Sequence, residues 1–364
     1  MRYALMAVAE AKLMETAVML PLNTIGGRYA ISRVAPYTTD RVLWGTDYYR
    51  YHQALVCTEL IKEADRAEMK EKWGELKGTG TYEEWAKNYL AEKGYTLKDS
   101  YTLAYSSDPT TWDCLSSSLA IDSEGAVNTF DGLMEYDIEG VLQPALAESY
   151  TVSEDGLTYT FKLREGAVWV DSQGREVAGV CADDFVAGMQ HMMDAQGGLE
   201  YLIEGVIKNA SEYISGEVTD FSEVGVKAVD EYTVEYTLES PHSYFLTMLG
   251  YSIFAPMSRN YYTSQGGKFG SEYDPSVADY LYGKSSDNIA YCGPYLVTNA
   301  TEKNTIVFKA NGSYWNKDKI NLKTITWVYD DGSDVTKIYN EVMAGTMEGC
   351  SLIQSEIVIH LQTL

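Results

Sequence analysis

Residues 142–195 read LQPALAESYTVSEDGLTYTFKLREGAVWVDSQGREVAGVCADDFVAGMQHMMDA, and NTFDGLMEYD precedes them at 128–137. The physical content is a turn, a strand and a helix in succession. Asp155-Gly156 supplies turn chemistry, because Asp bonds its own backbone and Gly tolerates positive φ. Residues 158–164 then alternate, which puts Tyr159, Phe161 and Leu163 on one face of a half-buried strand. Residues 182–195 place Phe185, Met189 and Met192 on one helical face, so this helix is expected to cover the sheet. A Met-rich stripe of that kind reads as core rather than as a binding groove. Asp183-Asp184 falls at the helix start, where negative charge and a cap are stabilising.

The same texture continues toward the C-terminus. Residues 233–238 alternate with Val234, Tyr236 and Leu238 inward, and 305–309 and 323–329 do likewise. Helices are expected at 243–250 and 334–345. No regular βαβ rhythm connects these elements, so the fold class is α/β in the mixed α+β sense. Toward the N-terminus, residues 2–20 read as an amphipathic helix stopped by Pro21, with Leu5, Ala9, Leu13 and Ala17 as its buried stripe. Residues 22–34 read as a strand with a bend at Gly26-Gly27. Two Glu- and Lys-rich helices follow at 59–77 and 81–93, separated by Gly78-Thr79-Gly80, with a capping box expected from Thr81 and Glu84. The stretch 55–98 therefore reads as a charged helical linker. No internal repeat occurs.

Composition narrows the function. The chain has 364 residues, 28 basic and 53 acidic, for a net charge of −25. Such a chain repels phosphate backbones, which argues against nucleic acid as a partner. Thirty Tyr against 8 Phe and 7 Trp suit either a wet binding surface or sheet faces. Five scattered cysteines with no CxxC pair argue against a disulfide framework, and four dispersed His argue against a metal site. Met1-Arg2 and the apolar residues after them imitate a signal peptide, but Glu10, Lys12 and Glu15 interrupt the run, so no signal peptide is expected in this chain. No apolar run is long enough for a membrane span. Gly283-Lys284-Ser285 mimics the end of a phosphate loop, yet Ala278 stands where that loop needs Gly. HExxH, GxSxG and GxGxxG are absent. His191, among methionines, and His242, after Pro241, lie near no nucleophile at a recognised spacing. These features favour a non-catalytic binder, with no catalytic residues, no metal and no cofactor.

The stretch 128–195 resembles the signature region of the family 5 extracellular solute-binding proteins, the oligopeptide- and dipeptide-binding components of ABC importers. The pattern F-[DE]-G-L, L-A-E-S, DG-L-T-Y-T-F-x-L-R-x-G, W and DF is matched nearly throughout. Residues 226–238 (VKAVDEYTVEYTL), 292–297 (CGPYLV), 311–315 (NGSYW) and 325–329 follow in the family's order. Residues 335–349 resemble the helix and strand that enter the second lobe. Residues 2–38 resemble the same family out of order, as its C-terminal helix and returning strand. Two local departures are Cys181, where Thr is usual, and a longer turn at 171–179.

The resemblance implies a periplasmic-binding-protein-like class II lobe with an incomplete second lobe. It divides the chain into a C-terminal-like piece (1–54), the linker (55–98), lobe one (99–328) and the truncated start of lobe two (329–364). A cut from a tandem-module protein, a truncated frame and a permuted domain would each produce this order. The implied function is peptide binding between two lobes for transport, with a peptide ligand and an ABC permease as partners. The parent would be a bacterial, monomeric, periplasmic or surface-attached, lipoprotein-like protein. The ligand would meet the backbone of Leu119, Ala120 and Ile121 from lobe one, Tyr291, Cys292, Gly293 and Asp334 from the hinge and lobe two, and Ile25 on the returning strand. The acidic residue that anchors a peptide amino terminus in many members falls in the absent segment. The family also takes nickel, haem and sugars. An incomplete fragment without independent binding and a carbohydrate-active enzyme are the alternatives. Residues 22–56 are expected to pack on lobe one as a strand and loop completing its sheet.

Overall fold

Thr158–Leu163 is a strand, as its alternation predicts, and it lies inside a four-stranded antiparallel sheet. The order is Val226–Asp230, Thr233–Thr237, Thr158–Leu163, Ala147–Val152. The Asp155-Gly156 turn sets the register. Leu157 N–H donates to the Asp155 carboxylate at 3.0 Å, and Gly156 takes φ +72°. Phe161 faces Val234 across one ladder and Tyr150 across the other, and is fully buried. Burial of a Phe side chain stabilises by roughly 1.5–3 kcal/mol. The structure, a computed structural model, describes residues 2–16, 29–41 and 49–352.

The Ala182–Ala195 helix contributes Phe185, Met189, Met192 and Met193 to the same core, so the Met stripe is core. Asp184 Oδ2 accepts from Cys181 N–H (2.9 Å) and Trp169 Nε1 (2.7 Å), while Asp183 pairs with Arg259 (2.6 Å). His191 is buried in this core, with Nε2 2.6 Å from Asp113 Oδ2 and the rings of Tyr262, Tyr273 and Tyr282 around it. Residues 283–285 form an ordinary loop: Gly283 accepts from Trp112 N–H, and the Ser285 hydroxyl accepts from Asp287 N–H.

A second four-stranded sheet runs Tyr295–Thr301, Thr305–Ala310, Thr324–Tyr329, Ser100–Tyr105. The first three strands are antiparallel and the last pair is parallel, with Tyr105 opposite Tyr329. Ile306, Phe308, Ile325 and Trp327 form its core face. The Ala120–Ala126 helix lies against that face; a Cβ on Gly125 would stand 3.3 Å from the Phe308 ring.

Residues 55–98 depart from the linker expectation. The Glu63–Leu76 and Tyr82–Glu92 helices form, and they enclose an apolar core of Ala35, Leu55, Cys57, Met69, Tyr82, Ala86, Leu90 and Ile138. The Glu and Lys spacing hid this, because the apolar residues that matter are few and every one points inward. Thr81 makes no side-chain cap. Glu139 takes that role from outside, accepting from Gly80 N–H (3.0 Å) and Tyr82 N–H (3.3 Å).

The described residues of 32–56 pack on the lobe, but they extend neither four-stranded sheet. Val56–Cys57 pairs with Leu97–Lys98 and bridges Val34, and Asp40–Arg41 pairs with Tyr49–Arg50. Attachment runs through isolated hydrogen bonds instead. Tyr51 N–H donates to Asn128 (2.9 Å), and Asn321 N–H donates to the His52 carbonyl (2.7 Å).

The chain divides into two compact units, residues 32–350 and residues 1–31 with 351–364. In the smaller unit the described parts include the Arg2–Glu15 helix, with Lys12 paired to Glu15 at 2.6 Å, and a bond from Leu352 N–H to the Tyr29 carbonyl. The stripe expected to be buried is exposed at Leu5, Ala9 and Leu13, and Ala17 lies outside the described residues. Four alanines in 14 residues raise the intrinsic propensity of this helix.

Candidate functional site

The parallel pair Ser100–Tyr105 and Thr324–Tyr329 ends at one edge of its sheet, and the loops 106–119 and 330–336 leave from there. Carboxyl ends of parallel strands are where open sheets place ligands. Asp330 N–H donates to the Tyr105 carbonyl at 2.8 Å, which holds the two exits together. The Tyr105 hydroxyl donates to Asp108 at 2.8 Å, and Lys303 N–H donates to the same carboxylate at 3.0 Å. The Tyr105 and Tyr329 rings meet edge-on, with centroids 5.5 Å apart.

Loop 106–119 is folded back by a buried carboxylate. Asp122 Oδ1 accepts from Thr110 N–H (2.6 Å), and Oδ2 accepts from the hydroxyls of Thr110 (2.7 Å) and Ser117 (2.6 Å). The Ser117 hydroxyl in turn accepts from Leu119 N–H at 3.1 Å. Leu119 and Ala120 are left exposed and Ile121 half-buried. Asp334 sits in the other loop, exposed. Hydrogen bonds from the Thr336 hydroxyl (2.8 Å) and N–H (2.9 Å) hold its carboxyl below the usual carboxylate range. Leu119 ends the loop that leaves Ser100–Tyr105, Ala120 and Ile121 open the helix after it, and Asp334 lies in the loop that leaves Thr324–Tyr329.

Tyr291–Gly293 does not join them. Tyr291 and Cys292 are buried in the lobe. Tyr291 exchanges both main-chain bonds with Val170 (2.8 and 2.9 Å) and donates its hydroxyl to Ser286 O (2.6 Å). Gly293 N–H donates to Thr129 O (2.9 Å), and its carbonyl accepts from Asn311 (2.9 Å). A Cβ at 293 would stand 2.4 Å from Phe130 N, so only Gly allows this approach. The triplet is a structural segment, an isolated bridge to Val170 followed by Gly293, and the main-chain bonds of Tyr291 and Gly293 are spent inside the lobe. Ile25 lies outside the described residues.

Sequence reasoning missed a charged cluster beside this segment. Asp131, the acidic residue of FDGL, is fully buried. Its Oδ1 pairs with Arg50, and its Oδ2 accepts from the Tyr314 hydroxyl (2.9 Å) and Trp315 Nε1 (2.6 Å). Arg50 also donates to Glu135 (2.7 Å) and to Phe130 O (3.2 Å). Burial pulls the guanidinium down, but Asp131 and Glu135 outweigh it and hold it above its ordinary value. Burial pushes the Glu135 carboxyl up to about 7. The signal in the sequence was the acidic position of the FDGL turn, an ionisable residue inside an otherwise apolar pattern.

An open groove of 680 Å³ lies elsewhere, lined by residues including Ser172, Gly174, Leu296 and Lys309. None of the expected ligand residues lines it. Among the described residues, no cluster of three His, Cys, Asp or Glu could hold a metal ion. No described helix is long and apolar enough to cross a membrane.

Comparison with known proteins assigns this lobe. Residues 141–347 match the family described as bacterial extracellular solute-binding proteins, family 5 Middle, and the chain belongs to it. The oligopeptide-binding protein AmiA of Streptococcus pneumoniae is 41% identical over 246 residues, which are 68% of this chain and 36% of that protein. A probable deoxycholate-binding periplasmic protein of Escherichia coli, YgiS, is 29% identical over 245 residues, 66% of this chain and 42% of that one. Among solved structures, the substrate-binding domain of an oligopeptide ABC transporter from Bacillus anthracis matches with TM-score 0.59 and 32% identity, covering 69% of this chain and 44% of that one. Peptide-bound OppA of Listeria monocytogenes matches with TM-score 0.57 and 27% identity, covering 69% and 46%. The lobe is thus of the class II periplasmic-binding-protein type. The chain spans about a third of the length of the first curated relatives it matches.

Proposed function

We propose that this chain carries lobe one of an oligopeptide-binding protein that serves an ABC importer. The observation that carries the reading is the 41% identity to an oligopeptide-binding protein over 246 residues of this chain. The ligand is an extended peptide, whose main chain meets Leu119–Ile121 at the start of the Ala120–Ala126 helix while Asp334 approaches from the loop after Thr324–Tyr329. Closure of two lobes would exclude water around it, and hydrated pockets would accept varied side chains. The protein works by binding and handing over, not by catalysis. Its second partner is a membrane permease, and its parent acts outside the cytoplasm as a monomer. Residues 1–54 act as the family's C-terminal piece, a reading supported by the way Arg50 and Tyr51 seat on the FDGL region.

Isothermal titration with a mixed-sequence peptide library tests this. It should be run on the chain and on the chain joined to the lobe-two segment of a relative. Micromolar binding by the joined form is expected. No heat from either form, with both folded, refutes peptide binding. Binding by the joined form alone identifies the chain as a fragment that depends on the other lobe.

A further inference from the structure

The Ala120–Ala126 helix buries Asp122, Ser123, Gly125 and Ala126. Ala120 is left exposed, and Ile121 and Glu124 half-buried. These residues stand three and four positions apart, so they share one face of the helix. Glu124 therefore lies one turn along from the residues placed above against the ligand's main chain. The other carboxylates of this helix and of the loops 106–119 and 330–336 are each met by donors. Asp108 accepts from the Tyr105 hydroxyl and Lys303 N–H, Asp113 from Leu115 N–H, and Asp122 from the hydroxyls of Thr110 and Ser117. Asp330 pairs with Lys337 (3.2 Å), Asp331 accepts from Ser333 N–H (2.9 Å), and Asp334 accepts from the Thr336 hydroxyl. Glu124 differs: among the described residues, none supplies its carboxylate with a hydrogen bond or an ion pair. Burial raises its carboxyl above the ordinary value, and no neighbouring charge opposes the shift. A carboxylate drawn half out of water without a partner loses hydration and recovers nothing for it. What it lacks is a cation that also brings N–H donors.

We propose that Glu124 binds the positive group of the ligand, an ammonium or guanidinium that a peptide carries at its amino terminus or on a lysine or arginine side chain. This role rests on the peptide reading proposed above and adds a residue and a charge preference to it. A charge-assisted hydrogen bond of this kind is worth at least about tenfold in affinity. The net charge of −25 draws any cation from a distance, but only a contact distinguishes one carboxylate from another. Glu154, exposed on a turn of the first sheet, serves as the comparison, because its loss changes the net charge equally.

Isothermal titration of the chain and of its joined form tests this. The probes are mixed-sequence pentapeptide libraries with and without lysine and arginine, each with a free or an acetylated amino terminus. The wild type should bind libraries that bear a positive group at least about tenfold more tightly than the acetylated library without lysine and arginine. A preference that follows the free terminus assigns the terminal ammonium, and one that follows lysine and arginine assigns a side chain. Glu124→Gln should abolish the preference, and Glu154→Gln should keep it. No preference in the wild type, a preference that survives in Glu124→Gln, or one that Glu154→Gln removes equally overturns the role of Glu124 while peptide binding stands. No binding of any library by either folded form overturns peptide binding and this role together. Urea unfolding of the chain without ligand gives a second readout. Glu124→Gln should leave the midpoint unchanged or higher, since no partner is lost. A lower midpoint would mean that the carboxylate holds part of the lobe, and overturns the role as well.

Discussion

Asp131→Asn is the substitution with the clearest atomic consequence. Each carboxylate oxygen faces donors: Arg50 on Oδ1, the Tyr314 hydroxyl and Trp315 Nε1 on Oδ2. An Asn amide fills the same volume, so no cavity contributes. In either flip its NH2 points at a donor, and Arg50 loses half of its buried countercharge. Breaking one partner of a buried ion pair costs about 3–5 kcal/mol. Because Asn still accepts on one side, about 3 kcal/mol is expected, and Arg50→Met should cost a similar amount. With a urea slope of about 3 kcal/mol/M, the midpoint falls by about 1 M. Trp315 fluorescence reports the transition at the altered site. The double variant should lose at least about 2 kcal/mol less than the sum of the singles, since the second change removes a charge already unpaired. A loss under about 1 kcal/mol for Asp131→Asn, or strict additivity, refutes the claim that this pair fastens residues 49–56 to the lobe.

Three further outcomes are expected. Gly293→Ala should cost about 1–3 kcal/mol in denaturant unfolding, because its Cβ would stand 2.4 Å from Phe130 N and only backbone can move aside; a neutral result would show that the 129–130 chain yields freely. Asp184→Asn should stabilise at pH 7.5 by up to about 3 kcal/mol and be neutral near pH 4. Burial pushes the Asp184 carboxyl up to about 6, so the folded state keeps a proton the unfolded chain releases, and wild-type stability falls as pH rises from about 4 to 6. Both donors to Asp184 use one oxygen, which Asn retains; parallel pH–stability curves for the two proteins would refute this. Leu90→Ala, in the core between the 63–76 and 82–92 helices, should cost about 2–5 kcal/mol, whereas a solvated linker would tolerate it with no change in melting.

The lobe's sheets were legible where alternation and turn chemistry agree. Tyr159, Phe161 and Leu163 show a strand face, and Asp155-Gly156 fixes where it begins. The Met stripe of 182–195 was legible for the same reason, as helical spacing beside a cap. The packing of 55–98 was not, because Tyr82, Ala86 and Leu90 are diluted by Glu and Lys that share the helices. Arg50 and Asp131 meet across 81 residues, and local spacing carries no trace of such a pair. For the candidate site, the resemblance named Leu119–Ile121, Asp334 and Tyr291–Gly293 together. The parallel pairing of Tyr105 with Tyr329 starts the chain leading to Leu119 and the loop holding Asp334 from one edge, while Gly293 is drawn to Thr129.

Arg33 N–H donates to the Glu348 carbonyl, a bond that spans 315 positions of sequence and 2.7 Å of space. A domain whose two ends emerge as neighbours can be inserted into a loop of another protein without stretching the host, since the gap it leaves is no wider than a ladder rung. The unit 32–350 has that property. The charged residues beside its neck would then travel with the insert, carrying a ready-made junction into whatever chain received it.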